Sequence, residues 1–115
     1  MVKTEMRFEG ILVDEGLTVT LAELTQLCGS SARTMQLMVT EGLLRPRQGD
    51  APTDWRFDGL QVRRAQRAQR LRRDLDLNLP GTALALDLLD ELETLRARIR
   101  VLEHQLGALR MTDVS

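Results

Sequence analysis

The stretch Leu21-Ala22-Glu23-Leu24-Thr25-Gln26-Leu27-Cys28-Gly29-Ser30-Ser31, continued by Ala32-Arg33-Thr34-Met35-Gln36-Leu37-Met38-Val39, decides the fold. Thr20 precedes it as an N-cap, with Glu23 three residues on as its capping-box partner. Leu21, Leu24, Leu27 and Cys28 then recur on one helical face. Gly29 ends this first helix. Ser30 or Ser31 caps a second, in which Met35, Met38 and Val39 face inward, and Gly42 supplies a left-handed stop. Two helices joined by a short turn containing glycine form a helix-turn-helix.

Working outward, Glu41-Gly42-Leu43-Leu44-Arg45-Pro46 leads into turn chemistry at Gly49, Asp50, Pro52, Thr53 and Asp54, and then into Trp55-Arg56-Phe57-Asp58. This segment reads as a wing flanked by short strands, with Trp55 beside Phe57 as an aromatic plug beneath it. Asp58 caps a helix expected to run to about Leu77, with Leu60, Ala68, Leu71 and Leu75 as its inward stripe. That helix carries Arg63, Arg64, Arg67, Arg70, Arg72 and Arg73, and Arg70 and Asp74 stand at ion-pair spacing. Asn78-Leu79-Pro80-Gly81 breaks it, because proline disfavours helix at the residue before it yet suits a first turn.

From there Ala85, Leu88, Leu92, Leu95, Ile99, Leu102, Leu106 and Leu109 alternate by three and four residues, a heptad seam in which every d position is leucine. A lone helix would leave much of that stripe in water, so a homodimer through Leu88, Leu92, Leu95, Ile99, Leu102, Leu106 and Leu109 is expected. A parallel pair would match Glu91 with Arg96 and Arg98 with Glu103; an antiparallel pair would match Arg96 with Glu103. Charge permits both. The expected architecture is mainly α: a winged helix-turn-helix over residues 1–77 and a C-terminal coiled-coil dimerisation helix over 78–115. Phe8, Ile11, Leu12 and Val13 could form a short strand, and the tail from Met111 to Ser115 is expected to be disordered.

Composition narrows the function. At 115 residues, 43% of them hydrophobic and 29% charged, the chain has room for one small core. Cys28 is its one cysteine, so no intrachain disulfide can form, and a cytoplasmic setting is expected. Lys3, Glu5, Arg7 and Glu9 interrupt the N-terminus, which excludes a signal-peptide reading. No apolar run approaches the roughly 20 residues that span a bilayer. Cys28 lies on an apolar face and His104 at an outward heptad position. One thiol and one imidazole cannot supply a metal site, and no catalytic grouping or phosphate loop is present. The expectation is therefore no enzyme, no cofactor and no metal.

Charge bears on the remaining choice between nucleic acid and protein as partner. Residues 1–58 hold nine acidic and six basic residues, a net of minus three, while residues 59–77 hold six basic and two acidic, a net of plus four. A duplex reader needs a basic surface around its second helix and wing, but Asp50 and Asp54 make the wing acidic. Contacts to DNA would fall to Arg33, Arg45, Arg47 and Arg56. Most of the arginines between Arg63 and Arg73 are expected to pair with neighbouring carboxylates or to solvate an outer face.

Several blocks together resemble a known family. Gly42-Leu43-Leu44-Arg45-Pro46, Trp55-Arg56-Phe57-Asp58, Arg70-Leu71-Arg72-Arg73-Asp74-Leu75, Leu79-Pro80-Gly81 and Ala83-Leu84-Ala85-Leu86, followed by the leucine seam, look like the CbpM-type chaperone modulators. These have a helix-turn-helix of the MerR type, and the likeness covers roughly Leu17 to Leu109. It implies a protein that binds the J-domain of a DnaJ-like, CbpA-type co-chaperone and holds it inactive. MerR regulators proper carry an arginine, two tyrosines and a glutamate in the second helix. This chain has Gln36, Leu37, Met38 and Val39 there, which argues against DNA binding. J-domains present a basic helix, so the implied contact surface is acidic, with Glu23, Glu41, Asp50, Asp54 and Asp58 as its candidates. A MerR-type transcriptional regulator using the four arginines is the alternative.

Overall fold

The computed structural model describes residues 17–114, with side chains through Met111. The strand proposed around Phe8 to Val13 lies outside the described residues. Strand β1 (Val19–Thr20) leads directly into helix α1 (Leu21–Cys28) and helix α2 (Ala32–Thr40). A single 3-10 turn (Pro52–Asp54) and strand β2 (Arg56–Phe57) follow, then helices α3 (Gly59–Leu75) and α4 (Leu79–Val114). The chain belongs to the mainly helical class expected of it, with a winged helix-turn-helix and a long C-terminal helix.

Local signals explain each boundary. Thr20 Oγ1 accepts from the Glu23 N–H at 3.2 Å and Glu23 Oε1 accepts from the Thr20 N–H at 2.9 Å, a complete capping box at the start of α1. Gly29, at φ 62°, ends the helix in the left-handed region. Ser31, rather than Ser30, caps α2, accepting from the Thr34 N–H at 3.1 Å. Asp58 caps α3 through the Gln61 N–H at 3.0 Å, and Asn78 Oδ1 accepts from the Gly81 N–H at 2.8 Å at the start of α4.

The small sheet arises where three segments meet. β1 and β2 pair antiparallel, Val19 opposite Phe57 and Thr20 opposite Arg56. Arg56 also bridges to Gln48: its N–H donates to the Gln48 carbonyl at 3.1 Å, and its own carbonyl accepts from Arg47 at 2.6 Å. The wing folds back tightly at Gly49, where φ is 105° and a side chain would collide with the Asp54 carbonyl.

The described residues divide within α4 into two compact units, one ending at Ala83 and one beginning at Leu84. In the first, α1 packs on α2, α3 and both strands. Its core is Val19, Leu24, Met35, Met38, Leu43, Leu44, Phe57, Val62, Ala65 and Ala68, all nearly solvent-free. Three side chains of α3 tie the turns of the helix-turn-helix in place. Gln61 accepts from the Arg45 N–H at 2.9 Å, Arg64 Nε donates to the Leu43 carbonyl at 2.7 Å, and Gln66 donates to the Leu27 carbonyl at 3.4 Å.

Helix α3 corrects three expectations. Its buried stripe is Gly59, Val62, Ala65 and Ala68, whereas Leu60 and Leu75 are 64% and 61% exposed and Leu71 is half-buried. Small residues every third position let the α3 backbone approach its neighbours closely, and that geometry outweighs the larger transfer energy of leucine on the adjacent face. The helix also stops at Leu75, not near Leu77. Asp76 takes the left-handed cap at φ 52°, a conformation aspartate tolerates better than most residues. Finally, Asp74 meets its neighbour Arg73 at 3.4 Å, both exposed, in place of the pair expected with Arg70. That contact is solvated and contributes little.

The second unit is the body of α4. Leu88, Leu92, Leu95, Ile99, Leu102, Leu106 and Leu109 are each between 40% and 62% exposed in the single chain, forming one continuous apolar stripe. The disorder expected over Met111 to Ser115 is corrected as far as Val114, where α4 ends, and Ser115 lies outside the described residues. Residues 111–114 contain neither proline nor glycine, so nothing in them breaks a helix already propagating.

Candidate protein-interaction site

The acidic candidates fall into two groups by what their carboxylates already do. Glu23 is bound into the α1 capping box and Asp58 caps α3. Both therefore hold the fold in place; Glu23 remains exposed and Asp58 is half-buried. Glu41 occupies the C-cap of α2, while Asp50 and Asp54 lie on either side of Ala51 to Thr53 in the wing. All three are exposed, and their carboxylates make no hydrogen bond or ion pair among the described residues. Redirecting these three carboxylates would break none of the described hydrogen bonds that hold the domain together.

The arginines of the DNA alternative are interleaved with them. Arg33, Arg45 and Arg47 are exposed, on α2 and at the root of the wing. Arg56 is half-buried and donates through Nη1 to the Trp55 carbonyl at 2.8 Å, so its guanidinium is already in local use. Trp55 is also half-buried, its ring edge-on to the fully buried Phe57 at 6.2 Å and 83°. Phe57 is the true plug of the wing, and Trp55 lies over it.

Beside the wing the structure forms a groove of about 320 Å³ that sequence reasoning did not anticipate. Thr20, Leu21 and Ala22 of the α1 start form one wall, Ala32 and Gln36 of α2 a second, and Pro52 and Thr53 of the 3-10 turn the third. No residue among these carries a charge. Small neutral residues on exposed faces leave no mark in composition or periodicity. Only the turn between the helices and the folding back of the wing bring them together.

Chemistry is sparse elsewhere. Burial pushes the Cys28 thiol up to about 11, so it is neutral at pH 7 and a poor nucleophile. His104 is exposed on α4. Among the described residues no group of three or more His, Cys, Asp or Glu could hold a metal ion, and no helix is long and apolar enough to cross a membrane.

The geometry defines a small helix-turn-helix protein of the MerR type with an extended C-terminal helix. The model of the MerR HTH family of regulatory proteins matches residues 19–104. Chaperone modulatory protein CbpM of Coxiella burnetii (strain Dugway 5J108-111) is 38% identical over 100 residues, covering 87% of this chain and 93% of the relative. The CbpM proteins of Salmonella paratyphi A (strain ATCC 9150 / SARB42) and Salmonella newport (strain SL254) are 38% and 37% identical, each over 79% of this chain and 89% of the relative. The chain belongs to the MerR-type helix-turn-helix family and, within that scaffold, to the CbpM family.

Proposed function

We propose that this protein is a chaperone modulator that binds the J-domain of a CbpA-type co-chaperone and occludes it. The observation that carries this reading is the 38% identity to a chaperone modulatory protein along 93% of that relative's length. Exposed carboxylates support this reading. Glu41, Asp50 and Asp54 are exposed, with carboxylates that make no hydrogen bond or ion pair among the described residues, and Glu23 is exposed at the start of α1. Such a surface suits a basic helix, attracting it over long range and setting its register on contact. The active form is a homodimer, which would bury the α4 seam. The proposed site of action is the cytoplasm, with the single cysteine in its reduced form.

Calorimetric titration of the purified protein with the isolated J-domain of such a co-chaperone, at physiological salt, tests the proposal. Saturable binding that weakens as salt is raised is the expected result. No binding would remove the J-domain as the partner. In the binding case, Asp50→Lys with Asp54→Lys should reduce affinity and flatten its salt dependence; unchanged values would exclude the wing from the contact.

The family model and the exposed Arg33, Arg45 and Arg47 favour one second reading, a MerR-type regulator that binds duplex DNA. It requires steep loss of duplex binding with salt and a shallower slope when each arginine is removed.

A further inference from the structure

We infer that the occupant of the α4 seam is a second copy of this chain lying parallel to the first and in register with it. This rests on the homodimer proposed above and adds to it a direction. Both chains then pass from the first unit into the seam at the same end.

The charges beside the seam carry the inference. Glu91, Arg96, Arg98 and Glu103 are exposed and make no hydrogen bond or ion pair among the described residues, so they can be matched across an interface. With Ala85 at position a, the g positions are Leu84, Glu91, Arg98 and Gln105, and the e positions are Leu89, Arg96, Glu103 and Arg110. In a parallel pair each g residue faces the e residue of the next heptad on the partner. Glu91 then meets the partner's Arg96, Arg98 meets the partner's Glu103, and Gln105 meets the partner's Arg110. The remaining contact is apolar: Leu84, 61% exposed in the single chain, meets the partner's Leu89. No contact joins like charges, and every seam residue from Ala85 to Leu109 faces its own copy.

An antiparallel pair cannot meet both conditions at once. Its a residues face d, and its flanking contacts join e to e and g to g. Covering the whole seam sets Ala85 opposite the partner's Leu109. The two-fold axis then brings Arg96 to the partner's Arg96 and Arg98 to the partner's Arg98, both repulsive. Matching Arg96 with the partner's Glu103 requires a slide of one heptad, which leaves Ala85 and Leu88 of each chain uncovered. The opposite slide matches Glu91 with the partner's Arg98 and leaves Leu106 and Leu109 uncovered. Either slide forfeits apolar burial at both ends of the interface.

The test uses the full-length chain carrying Cys28→Ala, so that each introduced thiol is the only one, in a glutathione redox buffer. Circular dichroism verifies folding and sedimentation gives the mass. In the parallel pair the two thiols of a Leu109→Cys variant share one core layer, within disulfide reach. The antiparallel overlaps hold them about 25 Å or more apart at 1.5 Å per residue. Leu109→Cys should therefore convert almost wholly to a disulfide dimer. A mixture of Ala85→Cys and Leu109→Cys chains should give no linkage between positions 85 and 109 by mass spectrometry. That mixed linkage, or a sedimenting dimer without the 109 disulfide, overturns the direction and leaves the homodimer standing. Sedimentation of the wild type at 13.0 kDa overturns both, while the J-domain titration is decided separately. Charge gives a second readout: Arg98→Glu should raise the dimer dissociation constant roughly three- to tenfold, because two surface pairs reverse together, and adding Glu103→Arg should restore it. Equal constants in the single and double variants overturn the charge match on which the direction rests.

Discussion

The helix-turn-helix unit and the body of α4 both carry many large apolar residues, yet they bury them in opposite ways. In the first, Leu24, Met35, Met38, Leu44 and Phe57 lose essentially all contact with water within one chain. In the second, each seam residue from Leu88 to Leu109 keeps between 40% and 62% of its surface. A helix of 36 residues is about 54 Å long at 1.5 Å per residue, and a single helix cannot cover its own apolar stripe. The first unit closes its core within one chain, and the second leaves its apolar stripe uncovered in the single chain.

The sharpest way to break this contrast is to attack both cores and read different observables. Phe57→Ala should cost about 3–5 kcal/mol of unfolding free energy in the first unit, measured by urea denaturation. For a domain this small that is much of its total stability. Leu95→Asp with Leu102→Asp should leave the first unit's circular dichroism intact and reduce the sedimenting mass from twice to once the 13.0 kDa of the chain. A wild-type protein that sediments at 13.0 kDa would show instead that the seam is reserved for another partner.

A second pair of changes sharpens the comparison inside α3, where the sequence pattern was misleading. Ala65→Leu should destabilise by about 1–3 kcal/mol, because it forces a branched side chain into the contact that the small residues make possible. Leu60→Ala on the neighbouring exposed face should stay within about 0.5 kcal/mol. Equal costs at the two positions would mean that α3 packs on its leucine face after all. Asp58→Ala comes next in size, at about 1 kcal/mol, for the lost cap on the Gln61 N–H.

How far these features could be read in advance follows from the range of the interactions behind them. Capping by Thr20, Glu23, Ser31 and Asp58 acts over three residues, and the stops at Gly29 and Gly42 act over one, so they are written where they operate. The heptad seam is likewise a local repeat. The inward face of α3 is not, because it depends on how closely another helix approaches; Val62 and Ala65, set among arginines, look unremarkable until that approach is known. β1 was hidden for a related reason: Val19 and Thr20 become a strand only because Arg56 and Phe57 arrive beside them after 35 intervening residues, Leu21 through Trp55. The acidic candidates were legible as charges, but not as two groups, since the capping duties of Glu23 and Asp58 are visible only in the hydrogen bonds. The groove was not legible at all. Its walls come from three segments and share no chemical signature except the absence of charge.

The smallest expected effect concerns Cys28, which stands at the end of α1 on the side of the self-sufficient core. Burial raises its thiol from an ordinary value of 9.0 to about 11 in the folded chain. Between those values the unfolded chain releases the proton and the folded chain keeps it, so the unfolded state binds fewer protons and stability falls as pH rises. The contribution is fully present below pH 9.0 and lost as the pH passes through about 11. The residue is only half-buried, so solvent moderates the effect. In urea titrations between pH 8 and pH 11, Cys28→Ala should show a shallower alkaline decline than the wild type, with the two curves parallel below pH 8. Reaction of Cys28 with a thiol reagent at pH 8 should also be slower than that of the same cysteine in the urea-unfolded chain, since only the thiolate attacks. Equal rates would place the thiol in free exchange with solvent and detach it from the core that the rest of α1 helps to close.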